Sequence, residues 1–595
     1  MRPIYGIALT LFLAAPLSAP AFAAEPDAPG ALVTRAEAIR MAVQNRLSAK
    51  FSATTEHKKD EKGALVDYYS TSDQKLLWVD ANGLTDRGKA VVAEIRRADD
   101  YGLRASDYEL PRMANFDASG TTATEELADA EIKISYAVLD YAYDARGGRI
   151  TPSRLSKNLD PTLALPNPLE VIESIAFRSD PAAYLRSFQP DQPQFELLRK
   201  KLVELRGGDK PADAEKPTVK IPNGPLLKFG VADPQVALLR TRLEVPEGQN
   251  PELYDEAVLE AVKTFQREHN TAADGVVGSG TRRLLNQPHL RNMGSPAQIK
   301  AILINMERWR WLPHDRGSFY VTVNIPEFTL RVVSDDETIH TTRVVVGKPS
   351  TQTPVLSNEI QTVVFGPYWN VPNSIKTGEI RPYVRQTGGG WFGGSGWNTS
   401  VFQRHNLRIK YGGREVDPGS LDWNRIDIRS LHLYQPPGPG NVLGQVKFVF
   451  PNKHDVYMHD TPQKHLFAKQ VRAESHGCMR VQNPGEFAAV ILKHDKNWSQ
   501  ARVMSAMETG YDQHVGLSRK VPVYTTYFTL RVNEDGSITT FRDLYGHDSR
   551  MAAALFDGRS VFSTSADVEV LTQSISQRGT SRRRTDPISD AVSGF

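Results

Sequence analysis

Hydrophobic positions along the chain change their spacing partway through. From Thr85 the apolar residues Val91, Val92, Ile95 and Ala98 recur at helical intervals, which predicts a helix capped by Thr85 after a turn at Asn82-Gly83. A second helix is expected around 130–144, with Ile132, Ala137, Leu139 and Tyr143 among its apolar positions. Residues 207–225, rich in Gly, Pro and charge, read as a linker. Beyond it Val258, Ala261, Val262 and Phe265 share one face of a helix that Asp255 can cap. Asp274-Gly275 then marks a turn, and 281–286 closes a further short helix. Residues 298–310 give one more amphipathic helix, with Ile299, Ile302, Leu303, Met306 and Trp309 on a common face.

From there the period falls to two. Strands are expected over 319–333, bent near Pro326, and over 341–347, 361–367 and 444–451. The stretch 373–443 between them is rich in Gly, Trp, Asn and Arg and reads as a long irregular insertion, a feature that in compact domains is functional or disordered. A helix near 484–493 and strands around 521–532 and 537–543 follow. The fold class is multidomain α+β: helical parts first, then a β-rich domain carrying an insertion.

Composition narrows this picture. At 595 residues the chain is too long for one core, so three or more domains are expected. A content of 40% hydrophobic and 24% charged residues is globular, and a net charge of +3 gives no nucleic-acid footprint. The N-terminus has Arg2, an apolar run from about Ile7 to Leu17 and A-F-A-A at 21–24, the pattern of a signal peptide (1–23) cleaved after Ala23. The run is shorter than the roughly 20 residues a membrane span needs, so export is expected. Residues 24–60 read as flexible, and the 570–595 tail, with R-G-T-S-R-R-R-T, as disordered.

The chemistry concentrates in 459–480. Cys478 is the only cysteine, so no internal disulfide can form. Ser475, His476 and Gly477 precede it, and His459 lies 19 positions upstream. A thiol near an imidazole can become a thiolate–imidazolium nucleophile. Gly477 lets the backbone bend and aim N–H groups at an oxyanion. In V-Y-M-H (456–459), strand alternation puts Val456 and Met458 on one side and Tyr457 and His459 on the other; His454 has the opposite parity to His459. With the apolar pair toward the core, His459 is the candidate general base and Tyr457 lines its pocket. Ser475 is expected to fix the loop, its hydroxyl being the weaker nucleophile. His476 either buttresses the loop or lends positive charge. Arg480 pairs either with a substrate carboxylate or with an ordinary surface partner. Tyr368 and Trp369 either shape the pocket or pack the core. No H-E-x-x-H or Cys/His ligand set is present, and no metal or cofactor is expected.

H-D-T-P (459–462) with S-H-G-C-M-R-V (475–481) resembles the signature of the YkuD-type L,D-transpeptidases, which crosslink bacterial peptidoglycan through a catalytic cysteine. T-P-V-L-S-N-E-I (353–360), P-Y-W-N-V-P (367–372) and V-Y-M-H-D-T-P (456–462) resemble the large YcbB-like branch. F-Q-R-E-H-N followed by D-G-V-V-G-S-G-T resembles a three-helix peptidoglycan-binding domain. The resemblance implies a helical scaffold domain at 61–220, a peptidoglycan-binding domain at 226–290 and a β-rich catalytic domain at 296–500 whose 373–443 insertion is a cap. A C-terminal extension (501–569) would pack on them. The expected reaction is ping-pong acyl transfer. Cys478 attacks a tetrapeptide stem at the L-centre of its diaminopimelate, D-Ala leaves, and the side-chain amine of a second stem resolves the thioester into a 3→3 crosslink. Backbone N–H groups of Gly477 and Cys478, with His476, would hold the oxyanion.

The cap tip Gly388–Gly396, with Trp391, Phe392, Trp397 and Trp423 for apolar surface and Arg381, Arg385, Arg404 and Arg408 for charge, would close over the cleft. The partners implied are stem peptides and glycan strands, with carbapenem-type β-lactams as inhibitors and other cell-wall synthesis enzymes as neighbours, all in the periplasm. A carboxypeptidase or crosslink-cleaving endopeptidase of the same fold, or an enzyme attaching an envelope protein to the wall, is the alternative. Many smaller relatives carry Asn where this chain has Arg480, so that Asn's role does not carry over.

Overall fold

The period-two text from Phe319 onward folds into a ring of strands. The computed structural model describes residues 34–49, 55–71, 75–112, 123–207, 219–268, 272–286, 295–387 and 396–556. The signal segment, the 388–395 part of the cap tip with Trp391 and Phe392, and the 570–595 tail lie outside the described residues. The strands are β1 (Phe319–Asn324), β2 (Thr329–Ser334), β3 (Glu337–Gly347), β4 (Val355–Phe365), β5 (Val446–Val449), β6 (Met458–His459), β7 (Met479–Val481) and β8 (Gln513–Thr526). They neighbour one another in the order β5-β6-β7-β3-β2-β1-β8-β4, and β4 pairs back onto β5, so the sheet closes into a barrel. Asp335 and Asp336, both at positive φ (50° and 65°), make the two-residue turn between β2 and β3. That turn type matches the right-handed twist of the flanking strands. Val321, Val323, Leu330, Val332, Val344 and Val346 pack the barrel core, which Phe487, Ile491 and Leu492 of the helix Pro484–Lys496 complete.

Strand β8 corrects the expected boundary at 500. It is no appended extension: it runs parallel to β1 and antiparallel to β4, and without it the ring would be open. The C-terminal hairpin Leu530–Val532/Ile538–Thr540 and helix His547–Phe556 follow it. Leu530 and Val532 pack against Leu198 and Leu202 of the helix Pro193–Gly207 and against Ile302 and Met306 of Ser295–Trp309.

The insertion is also more ordered than its composition implies. Strands Trp369–Asn370, His432–Gln435, Arg408–Tyr411 and Arg414–Val416 form a four-stranded antiparallel sheet in that order. Trp423, expected on the cap's apolar surface, is 1% exposed and sits in the core, its ring 5.5 Å from that of Phe402. Its Nε1–H donates to the Pro418 carbonyl.

The N-terminal segment likewise departs from the flexible reading of 24–60. Arg35–Ser48 is a helix with a capping box between Thr34 and Glu37, and Ile39, Val43 and Leu47 join the scaffold core. The alanine-rich, charged composition hid an amphipathic face of only four buried residues, Ile39, Ala42, Val43 and Leu47. Glu131, fully buried in Thr124–Gly147, accepts hydrogen bonds from the backbone of Leu77, Trp78 and Val79 and from the Tyr69 hydroxyl, tying the scaffold loop to its central helix. The scaffold is stitched to the barrel. Leu159–Asp160 pairs in parallel with the start of β4, the Ile150 N–H donates to Glu307 at 2.9 Å, and His454 bonds Asp160 at 3.0 Å. Residues 219–286 pack their own small core around Val236, Leu239, Val258, Val262 and Leu285. Asp255 accepts from the Val258 N–H as the cap of its helix. Ile221 bonds Asn286 within this unit, so the linker is shorter than the 207–225 expected. Among the described residues no helix is long and apolar enough to cross a membrane.

Candidate active site

The barrel register gathers the candidate residues. Met458 pairs with Met479 and His459 with Arg480 across the parallel β6/β7 pair, and Lys447 of β5 pairs with His459. Directly paired residues share a side and alternate residues switch it. Lys447, Tyr457, His459, Cys478 and Arg480 therefore lie on one side, while Met458 and Met479, both fully buried, lie on the other in the core. His454 is off at the scaffold contact.

The thiol of Cys478 is 4% exposed, with the Asp455 carbonyl 3.9 Å from Sγ. Burial pushes it up to about 11, against the downward pull of the Tyr457 N–H and hydroxyl and of the charges of Lys447 and Arg480. His459 is fully buried, and burial, reinforced by the Arg480 charge, holds its imidazole well below the ordinary value. Nδ1 bonds the Asp460 carbonyl, which assigns the proton there and leaves Nε2 as the basic nitrogen of the neutral ring. Tyr457 stands edge-on to this ring at 5.7 Å. Both shifts run against the charged form, and burial is the largest cause of each. Burial thus works against the thiolate–imidazolium pair that the sequence allows, while the cations near the thiol work for it.

The loop before Cys478 is held from three directions. Ser475 Oγ donates to the Cys478 carbonyl at 2.6 Å and accepts from the Gly477 N–H at 3.2 Å. Gly477 has φ of 118°, a conformation that side chains disfavour. Since its N–H is already engaged by Ser475, the donor set expected for an oxyanion loses that member in this structure. Below the loop, Thr353 Oγ1 donates to the Gly477 carbonyl at 2.7 Å; the Thr353 N–H donates to the Tyr545 hydroxyl, which donates to the Gly347 carbonyl at 2.7 Å. Above it, His476 Nε2 lies 2.7 Å from Glu379 Oε1, in the helical turn Lys376–Ile380 of the cap. His476 therefore ties the cap to the nucleophile loop.

Other expected contacts fall elsewhere. Arg480 is fully buried, donates to Gln463 Oε1 at 2.8 Å and is lowered by burial to about 9; it is shut off from solvent, so a substrate carboxylate cannot reach it here. Trp369 is core, at 1% exposure, whereas Tyr368 faces a cleft and bonds the Tyr511 hydroxyl at 2.6 Å. Arg381 is spent on the carbonyls of Val384 and Trp423, Arg385 on that of Pro382, and Arg408 sits 3.6 Å from Glu415. Lys447, Thr353, Glu379 and Tyr545 are additions. Only Lys447 left a sequence signal: in V-K-F-V it breaks an apolar strand on the side opposite Val446 and Phe448. One trio among the described residues has metal-ligand spacing, His57, Glu61 and Asp140 in the scaffold, but Lys58 already bridges its two carboxylates.

Three family models match the chain. Residues 318–503 match "L,D-transpeptidase catalytic domain", 63–202 match "Scaffold domain" and 233–285 match "Putative peptidoglycan binding domain". A Haemophilus influenzae protein named "Putative L,D-transpeptidase" is 29% identical over 254 residues, covering 42% of this chain and 49% of the relative, so the match spans about half of that relative's length. Two solved structures, an L,D-transpeptidase from Mycobacterium smegmatis and L,D-transpeptidase 1 of Mycobacterium tuberculosis, each align at 12% identity with a TM-score of 0.16. They cover 35% of this chain and 58% and 61% of their own. The barrel with its thiol and imidazole is thus an L,D-transpeptidase catalytic domain. The chain thus carries the three domains, scaffold, peptidoglycan-binding and L,D-transpeptidase catalytic, that the resemblance to the large branch of the YkuD-type L,D-transpeptidases implies.

Proposed function

We propose that this protein is a periplasmic peptidoglycan L,D-transpeptidase that forms 3→3 crosslinks through a Cys478 thioester. The observation that carries the reading is the register placing Cys478 and His459 on one side of adjacent parallel strands, with Nε2 as the basic nitrogen. In the first half-reaction Nε2 takes the thiol proton as Sγ attacks the diaminopimelate carbonyl, and the protonated imidazole then gives that proton to the departing D-Ala amine. Thioester and D-Ala are the products. In the second, the acceptor's side-chain amine attacks the thioester, His459 removes its proton, and the thiol leaves reprotonated. The peptidoglycan-binding domain supports a wall substrate, and the apolar N-terminal run supports export. The same thiol would open carbapenem-type β-lactam rings.

Incubating purified protein with tetrapeptide muropeptides and reading products by mass spectrometry tests the proposal. Crosslinked dimers one D-Ala lighter than two monomers are expected; tripeptide monomers alone would make the protein a carboxypeptidase instead.

The loop support gives a further expectation. Tyr545→Phe removes the hydroxyl shared by Gly347 and Thr353 and loosens the carbonyl clamp on Gly477. Acylation of Cys478, followed by intact mass, should slow about ten- to a hundred-fold, since small misplacements of a nucleophile are expensive. An unchanged rate would show that the Thr353–Gly477 bond holds the loop without it.

A further inference from the structure

Strand β5 and the cap sheet enclose a cleft of about 570 Å³, whose lining residue Lys447 is the strand partner of His459. Its basic lining comes from both sides: Lys410 and His432 from the cap, Lys447 and His514 from the barrel. Lys410 lies over the Tyr434 ring at 5.0 Å, and Lys447 over the Tyr457 ring at 3.8 Å. Among the described residues neither ammonium has a carboxylate within 4.0 Å. His432 is occupied by Asn370 at 2.8 Å. The single carboxylate in the lining, Asp512, is 3.1 Å from His514 Nε2. Two ammonium groups, Lys410 and Lys447, thus line a cleft whose one acid is already engaged by His514.

Strand order gives this cleft a direction. His459 on β6 stands between Cys478, at the start of β7, and Lys447 on β5. A donor stem acylating the thiol occupies the β7 side. An amine resolving the thioester surrenders its proton to His459, and Lys447 on β5 is that histidine's partner on the side away from β7. The side-chain amine of diaminopimelate shares its carbon with a carboxylate, so that carboxylate comes to rest a few ångströms further along, toward Lys447. We propose that the cleft is an acceptor subsite, in which Lys447 on the barrel and Lys410 on the cap hold the carboxylate beside the attacking amine. Reading the acid this way selects amine acceptors over water and over neutral amines. The proposal rests on the acyl-transfer reading above, and it adds the class of acceptor.

The test uses the full chain and two tripeptide acceptors, identical except that the carboxylate beside the side-chain amine is free in one and a carboxamide in the other. Lys410 is exposed on the cap sheet, so Lys410→Gln should leave the fold and the acylation of Cys478 by donor intact. It should raise KM for the free acid about five- to ten-fold, leave the carboxamide unchanged, and be rescued by Lys410→Arg. Calorimetry on Cys478→Ala protein measures the same preference without turnover: the free acid should bind more tightly than the carboxamide, and Lys410→Gln should erase the difference. Equal binding of the two acceptors, or equal weakening of both by Lys410→Gln, overturns the subsite. Wild-type protein that discriminates the acceptors but releases no D-Ala from tetrapeptides would leave the subsite standing and sink the acyl-transfer reading.

Discussion

Cys478→Ala and Cys478→Ser should release no measurable D-Ala from tetrapeptide stems, and His459→Ala should slow release by about 10²–10⁴-fold, the usual worth of general-base help. The asymmetry follows from the geometry. Without Sγ no acyl-enzyme can form, and a serine hydroxyl at this depth would need a far stronger base than a buried, depressed imidazole. Without the imidazole the thiol keeps Tyr457, Lys447 and Arg480 near it, so some thiolate still forms. His459→Ala leaves a void between β5 and β7 and risks unfolding the site. His459→Gln fills the space without the basicity and should show the same loss with an unchanged melting temperature. Intact-mass detection of a carbapenem adduct on wild type and its absence from Cys478→Ala checks the same assignment independently. Wild-type turnover by Cys478→Ala would remove the thiol from the mechanism altogether.

Tyr457 and His459 were placed by two-residue alternation in V-Y-M-H, because an apolar pair fixes which side of a strand is core. The need for Gly477 followed from its neighbours and is met by its positive φ. What escaped the sequence has identifiable causes. The 521–526 part of β8 was expected as a strand, but its place inside the ring was not, because it holds Pro522 and a proline argues against a central strand. Here it pairs opposite Glu359 beside a register shift, where the ladder is already irregular. The cap sheet is made of strands two to four residues long, too short for alternation to be visible. Lys447 reads as a solvated position until the register brings His459 beside it. Glu379 lies 97 residues from His476, and Tyr545 lies 198 from Gly347, so no local pattern connects them. Local placement on the strands was legible; the contacts that hold the loop come from distant parts of the chain.

The cap gains a more definite role from these supports. Glu379 contacts the residue two before the nucleophile, and Lys410 lines the cleft on the β5 side. One subdomain thus touches the nucleophile loop and the proposed acceptor position together. The buried Trp423 and the Lys376 ammonium bonded to the Leu431 carbonyl make its base stiff.

The alkylation of Cys478 by iodoacetamide should climb with pH toward about 11, and at about pH 8 it should be roughly a hundred-fold slower than for an ordinary exposed thiol. Only the thiolate is alkylated. Burial raises this thiol from 9.0 to about 11, so ionisation comes later on the pH axis, and each unit of upward shift removes about tenfold of the thiolate below both values. The imidazole moves the other way: its lowered value keeps it neutral, and able to accept a proton, through the whole neutral range. Acylation by substrate should therefore not follow alkylation. It needs neutral thiol and neutral imidazole, with the proton passing to Nε2 as the bond forms, so its rate should stay flat from about pH 6.5 to 9 while alkylation rises by more than a hundred-fold. His459→Gln should leave the alkylation profile nearly in place, because the imidazole carries no charge there to stabilise the thiolate. A pH midpoint for alkylation below 9, lost in His459→Gln, would instead reveal a thiolate–imidazolium pair at rest and would mean that proton transfer precedes substrate binding.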